Sequence, residues 1–395
     1  MSADTVPGDP APTATKPGAD GPASLRARAT EVMGRNWRAR GYTVPNAHVY
    51  PHQWLWDSCF HAVVWAHLGE PERALTELRM LFAAQHDDGF VPHMTYWEHP
   101  DLHASFWGRP GASTITQPPM YGHALAELIR LGVTVDPELV DRAAAGLAFL
   151  VGTRRGERDL VPIVHPWESG CDDSPRWDGW AGADRTTESW RRTKGELVGS
   201  LVLSASGSPV ANPSFEVEAA GFNALVLFNA EELASVGCGD HLPVGLDRMR
   251  QALDHRWDPE TATWRDGVGG ERPVRTLEAL LPVLVTSRAD VVDAVFVQIL
   301  DDRAFGGACG PAQVHRLEAD FDPVTYWRGP AWPQLTYLFW VAAGRHGRVA
   351  DRARLAAALQ RGAEQSGFAE YWEPDSGAGL GAIPQSWAAL AAVVR

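Results

Sequence analysis

Two kinds of helical segment alternate along this chain, and that alternation restricts the fold more than any other feature. Residues 57–68 (DSCFHAVVWAHL) are apolar on most sides. Residues 70–85 place Pro71 in the first turn and carry one apolar face through Ala74, Leu75, Leu78, Leu81 and Phe82. The couplet recurs at 118–131 with 136–150, at 219–236 with 241–254, at 274–285 with 287–300, and at 331–344 with 348–363. A Ser-capped helix is predicted over 24–36 and a last apolar helix over 384–394. A helix that is apolar all round needs burial on every side, whereas an amphipathic one needs a single buried face. Alternating them builds an inner ring wrapped by an outer one. With about six couplets the expected fold is all-α, an (α/α)6 barrel or six-hairpin toroid with little β structure. An elongated helical repeat would have units more alike in length.

The segments between couplets are long: 87–117, 152–190, 302–330 and 364–383. In a toroid they gather on one rim as a funnel. Strand signals are scarce: 256–266 (RWDPETATWRD) reads as a small hairpin turning at Pro259–Thr261, and 192–217 is ambiguous. One domain is expected over 24–395, preceded by a disordered tail over 1–23 that is rich in Pro, Ala, Gly, Ser and Thr.

Composition removes several classes of function. A net charge of −14 opposes binding to a phosphate backbone, so no nucleic-acid partner is expected. No apolar run approaches the roughly 20 residues of a membrane span, and the start has no apolar core of a secretory signal. Four widely spaced cysteines without a CxxC give neither a disulfide framework nor a zinc finger. A cytoplasmic protein is expected, and homo-oligomers stay open. No metal or cofactor motif stands out. HExxH is absent, and the G-x-G-x-G within 369–381 has neither a preceding strand nor a P-loop lysine.

The outlier is tryptophan, with 17 in the chain. Most such rings belong in a core. Several here sit in Gly/Pro loops instead: Trp54, Trp97, Trp107, Trp167, Trp177, Trp327, Trp332 and Trp372. Rings on loops suit ligands with one flat apolar face and a polar rim, as sugars have.

The same loops carry polar candidates. In YPHQWLWDSCF (50–60), Tyr50, Trp54 and Trp56 precede Asp57, which either caps its helix or faces the funnel. GFVPHMTYW (89–97) and TITQPP (114–119) follow, and Gln117 stands where an amide could read a pair of hydroxyls. HPWESGCDDSPRWD (165–178) crowds Glu168, Asp172, Asp173 and Asp178 into one loop. YWRGPAWP (326–333) is again aromatic. AEYWEPDSGAGLG (369–381) holds Glu370 and Glu373. Two acidic, aromatic loops far apart in sequence suggest opposed carboxyls, the arrangement that glycoside hydrolysis requires. Crowding then has a use: a neighbouring anion and an apolar wall keep a carboxyl protonated at neutral pH.

Taken together and in this order, these motifs resemble glycoside hydrolase family 63, and within it the bacterial mannosylglycerate and glucosylglycerate hydrolases. The resemblance spans residues 50–387. It implies an (α/α)6 barrel and an inverting alpha-glycosidase acting on a small soluble alpha-glucoside or alpha-mannoside, with glucosylglycerate or mannosylglycerate first. By motif matching, Asp172 is the general acid and Glu370 the base. Tyr50, Trp54, Trp56, Asp57, Tyr96, Gln117, Trp167, Tyr326, Trp327, Trp332 and Gln385 would line the sugar pocket, with Trp167 walling Asp172. An inverting pair stands about 6.5–9.5 Å apart and a retaining pair about 5–5.5 Å. The family commonly has Met and then Asp-Asn where this chain has Cys171, Asp172 and Asp173. The added anion would raise the proton affinity of Asp172 further or bind a cation. The stretch 179–215 matches poorly. Arg185, Arg191, Arg192 and Lys194 lie where the glycerate-specific enzymes hold a carboxylate with a basic residue.

Other classes compete. A sugar epimerase or isomerase on the same barrel needs histidines as proton shuttles, and His93, His165 and His315 lie on loops. A carbohydrate-binding pseudoenzyme would bind without turnover.

Overall fold

The fold is described from a computed structural model, over residues 24–154, 156, 158–181, 186–267 and 274–395. The tail expected over 1–23 and the candidate Arg185 lie outside these residues.

Six helices close into an inner ring: Leu55–His67, Tyr121–Arg130, Ala220–Ser235, Leu277–Leu284, Pro333–Arg345 and Ser386–Ala392. Each packs on the next, and the last returns to the first. Each also has an outer partner, in order Pro71–Phe82, Pro137–Ala148, Leu246–Asp254, Ala289–Leu300, Val349–Ser366 and Leu25–Asn36. The expected (α/α)6 toroid is therefore present. Its sixth couplet joins the two ends of the chain, because the first helix is the outer partner of the last.

The two helix types behave as their patterns require. The inner helix Leu55–His67 buries every residue from Leu55 through Trp65. Its outer partner buries only Ala74, Leu75, Glu77, Leu78, Leu81 and Phe82. The Ser24 hydroxyl accepts from the Ala27 N–H at 3.2 Å and caps the first helix as expected. Leu277–Leu284 and Ser386–Ala392 are wound as 3₁₀ rather than α helices. In the former, Pro282 has no N–H to give to an α ladder.

Strand structure among the described residues consists of five two-stranded antiparallel ribbons. The hairpin expected within 256–266 forms, with Trp257 opposite Trp264. The ambiguous 192–217 stretch holds the end of an unexpected helix, Thr187–Gly199, and a ribbon pairing Val202–Leu203 with Pro209–Ala211. Two ribbons tie down the rim loops: Gln53–Trp54 pairs with Met94–Thr95, and Tyr371–Trp372 pairs with Gly379–Leu380. No helix among the described residues is long and apolar enough to cross a membrane.

Candidate active site

The N-terminal ends of Leu55–His67 and Ser386–Ala392, together with rim segments that lead into other inner helices, surround one cavity. It opens to solvent and is lined by Tyr50, Trp54, Trp56, Asp57, Gln117, Asp172, Tyr326, Trp327, Glu370 and Gln385. Pro45, Gly170 and Trp387 complete the wall.

Three of the residues expected here stand elsewhere. Tyr96 is buried behind the wall and accepts from the Trp107 indole at 2.7 Å. Trp167 packs against His93, Trp107 and His165 in a separate cluster. It does not wall Asp172; the tryptophans sharing the cavity with that acid are Trp54, Trp56, Trp327 and Trp387. Trp332 backs the wall, with its ring parallel to Trp327 at 3.6 Å. The other loop tryptophans act as braces. Trp177 donates to the Cys171 carbonyl at 2.8 Å, Trp372 to the Cys309 carbonyl at 2.7 Å, and Trp97 to Gln53 at 2.6 Å. A sequence pattern reads aromatic content but not which side of a loop a ring faces.

Asp57 is not a helix cap. The helix begins at Leu55 with Trp54 at the cap position, which puts Asp57 in the first turn, buried and facing the cavity. Its carboxyl is pushed well above the usual range, mainly by burial and then by Glu370, Asp172 and Glu77. Gln117 accepts from the Trp56 N–H at 3.4 Å, which leaves its amide nitrogen for a ligand.

The acid loop sorts its four carboxylates. Glu168 is fully buried and receives Arg154 through Nη1 at 3.0 Å and Nη2 at 2.6 Å, with the Thr116 and Val164 N–H groups at 3.1 and 2.8 Å. Asp178 pairs with both terminal nitrogens of Arg328, at 2.8 and 2.6 Å. Asp173 receives Lys194 Nζ at 2.6 Å and the Trp190 indole at 2.8 Å. Asp172 makes no side-chain hydrogen bond among the described residues. Its pKa is pushed up to about 7: burial and the anions Asp173 and Glu370 raise it, and the Lys194 cation opposes them. The added anion at 173 thus acts as expected on Asp172, but its countercharge is a lysine of the same chain.

Glu370 has a different environment. Its backbone N–H donates to the Ala382 carbonyl at 2.8 Å, and Oε2 accepts from the Ala382 N–H at 2.9 Å. Oε1 accepts from the Tyr50 phenol at 3.0 Å. Gly381, at φ +69°, lets the backbone pass close by: a Cβ there would lie 2.5 Å from Oε2. Burial pushes the Glu370 pKa up to about 7, while these two donors pull it down. Two carboxyls of near-equal affinity in one cavity hold about one proton between them at neutral pH. The two donors favour the anion at Glu370, and Asp172 has no such donor among the described residues.

The three loop histidines do not line the cavity. His93 and His165 are buried outside the cavity, and burial lowers both pKa values to about 3. His315 lies beside Arg275, also away from it. The basic residues between 179 and 215 divide: Arg191 and Arg192 are exposed, whereas Lys194 is buried against Asp173. Lys194 has no evident place in the sequence, because helix Thr187–Gly199 lies across a stretch that reads as a link. The signal was there: Thr186 caps that helix through Ser189, and Glu188 sits in the first turn. His123, Glu127 and Glu232 are near enough to share a metal. Arg130 and Arg345 already ion-pair with Glu232 there, which makes the group an ion-pair cluster.

Residues 50–388 match the family model described as the mannosylglycerate hydrolase MGH1-like glycoside hydrolase domain. A glucosylglycerate hydrolase of Mycolicibacterium hassiacum is 30% identical, over 94% of this chain and 97% of its own. A mannosylglycerate hydrolase of Thermus thermophilus is also 30% identical, over 93% and 99%. A crystal structure of a GH63 mannosylglycerate hydrolase from Thermus thermophilus in complex with Tris superposes with a TM-score of 0.80 at 28% identity, covering 93% of this chain and 99% of that one.

Proposed function

The chain belongs to the MGH1-like glycoside hydrolases of family 63 and is a glycoside hydrolase; on that premise we propose that it is an inverting alpha-glycosidase using Asp172 as general acid and Glu370 as general base. The substrate is a small soluble alpha-glucoside or alpha-mannoside, glucosylglycerate or mannosylglycerate first, and the enzyme acts in the cytoplasm. One observation carries the assignment of roles. The two carboxyls share a cavity, and among the described residues Glu370 receives two hydrogen-bond donors while Asp172 receives none, an asymmetry that favours the anion on Glu370 and the proton on Asp172.

The hexose sits in the cavity against Trp54, Trp56 and Trp327, with Asp57, Gln117 and Gln385 within reach of its hydroxyls. Asp172 donates its proton to the glycosidic oxygen as the bond to the anomeric carbon breaks. Glu370 takes a proton from a water that bonds to that carbon from the opposite face. The products are the free sugar with inverted anomeric configuration and the free alcohol. A proton returns from Glu370 to Asp172 through solvent, which restores the starting state.

The test is a screen of glucosylglycerate, mannosylglycerate and trehalose, with NMR of the first-formed sugar. A beta anomer appearing first from an alpha-glycoside supports the reading. An alpha anomer first, binding without turnover, or a new epimer would each overturn it.

A further inference from the structure

Helix Thr187–Gly199 bears on the acid loop through two side chains one turn apart, and both end on one oxygen. The Trp190 indole donates to Asp173 Oδ1 at 2.8 Å, and Lys194 Nζ lies 2.6 Å from the same atom. The ammonium stands over the rings of Trp167 at 5.4 Å and Trp190 at 5.3 Å, so two aromatic faces help hold it in place. His165 fixes the Lys194 backbone from beneath, with its Nε2 3.0 Å from the Lys194 carbonyl oxygen. Trp167, which sequence reasoning put in the sugar pocket, thereby gains a place: it is part of the seat of this lysine. Asp173 directly follows Asp172, so the clamp fixes the backbone beside the candidate acid.

We propose that Lys194 and Asp173 are positioning residues that tune the pH range over which Asp172 can donate its proton, the anion holding that proton on and the clamped ammonium drawing it off. This rests on the reading of Asp172 as general acid. Among the described residues, the other groups facing Asp172 are Cys171 in its own loop, Tyr50 and Asp57 from the 50–60 segment, Tyr326 from the 302–330 segment, and Glu370 from the 364–383 segment. Burial drives Cys171, Tyr50, Asp57 and Tyr326 toward their neutral forms. The charges that act on Asp172 are then Lys194, Asp173 and Glu370, and Lys194 is the cation among them.

The experiment is the pH profile of kcat/KM for the parent, K194M, K194R, D173N and D172N, using the glycoside turned over in the screen. An acid must be protonated to act, so its pKa appears as the basic limb. K194M removes a cation and moves that limb up by about one pH unit. D173N removes an anion, leaves the ammonium unpaired and moves it down by a similar amount. K194R keeps the charge and the parental limb, and it serves as the folded control if K194M does not fold. Should K194M and D173N lower kcat with the limb unmoved, or move it in the same direction, the pair is structural and the inference fails. Should D172N keep parental activity, the underlying assignment of the acid fails instead.

Discussion

The Tyr50 phenol donates to Glu370 Oε1 at 3.0 Å, which links the 50–60 segment to the 364–383 segment across 320 positions of sequence. Burial and the nearby Glu370 anion hold the phenol protonated far above neutral pH, so it remains a donor throughout the working range. Its partner is the candidate base, which acts when ionised. Removing the donor in Y50F raises the Glu370 pKa from about 7. The acidic limb of the kcat/KM profile should then move up by about one pH unit, with the basic limb nearly in place. A Y50F profile that falls uniformly without moving would assign Tyr50 to substrate binding alone.

D172N and E370Q should each lower kcat by about 10²–10⁴-fold with the fold intact, the range that one proton-transferring group contributes. A substrate with a good leaving group, such as a glycosyl fluoride, needs no proton from an acid. It should rescue D172N and leave E370Q inactive. Equal rescue of both variants would remove the distinction between acid and base.

The same substitution has a stability signature. Asp172 is raised from its ordinary 3.8 to about 7 in the folded protein. A raised carboxyl contributes stability that is complete below about pH 4 and is lost as pH rises through about 7. D172N should therefore match the parent at pH 4 and exceed it by on the order of 2 kcal/mol at pH 8. Thermal melts at the two pH values check this; a gain that is the same at both would point to packing instead.

Gly170 turns the acid loop at φ +74°, and a Cβ there would lie 2.6 Å from Cη2 of Trp56. G170A should strain the turn by roughly 1 kcal/mol and push the indole into the cavity. KM should rise at least about tenfold, more than kcat falls, because the displaced ring contacts the sugar in the ground and transition states alike. An unchanged KM would mean that Trp56 does not bound the sugar.

Arg154 and Glu168 form a buried pair with neither side chain exposed. R154M leaves an anion in the interior with only two N–H donors, and should cost about 3–5 kcal/mol in chemical denaturation. Replacing both partners with apolar residues should recover part of that loss. If R154M alone proves as stable as the parent, the pair does not hold this loop.

HPWESGCDDSPRWD shows how far a motif can be read. Its four acids look alike in sequence, and matching to the family could single out Asp172. What separates them physically is the partner each one meets. Those partners are Arg154, Lys194 and Arg328, from three different segments, and among the described residues Asp172 is left without one. The tryptophans repeat the lesson. Trp54 and Trp327 were legible as loop rings and do line the cavity, whereas Trp167 was equally legible and turns away to seat Lys194. Helix Thr187–Gly199 was harder to see, since its apolar periodicity is weak and it begins inside a segment that reads as a link.

By itself the sequence determined the ring. Whether a helix is apolar on all sides or on one face is a local property, and it dictates inner or outer burial before any contact is known. Only the tertiary structure decided how the ring closes and where its charges stand. The sixth couplet is built from the two ends of the chain, which share no local pattern that announces the pairing. Asp172 and Glu370 acquire their different surroundings from groups outside their own motifs, Lys194 for the one and Tyr50 for the other. A carboxyl's proton affinity follows from burial and neighbouring charge, and neither is a property of the residue's own place in the chain.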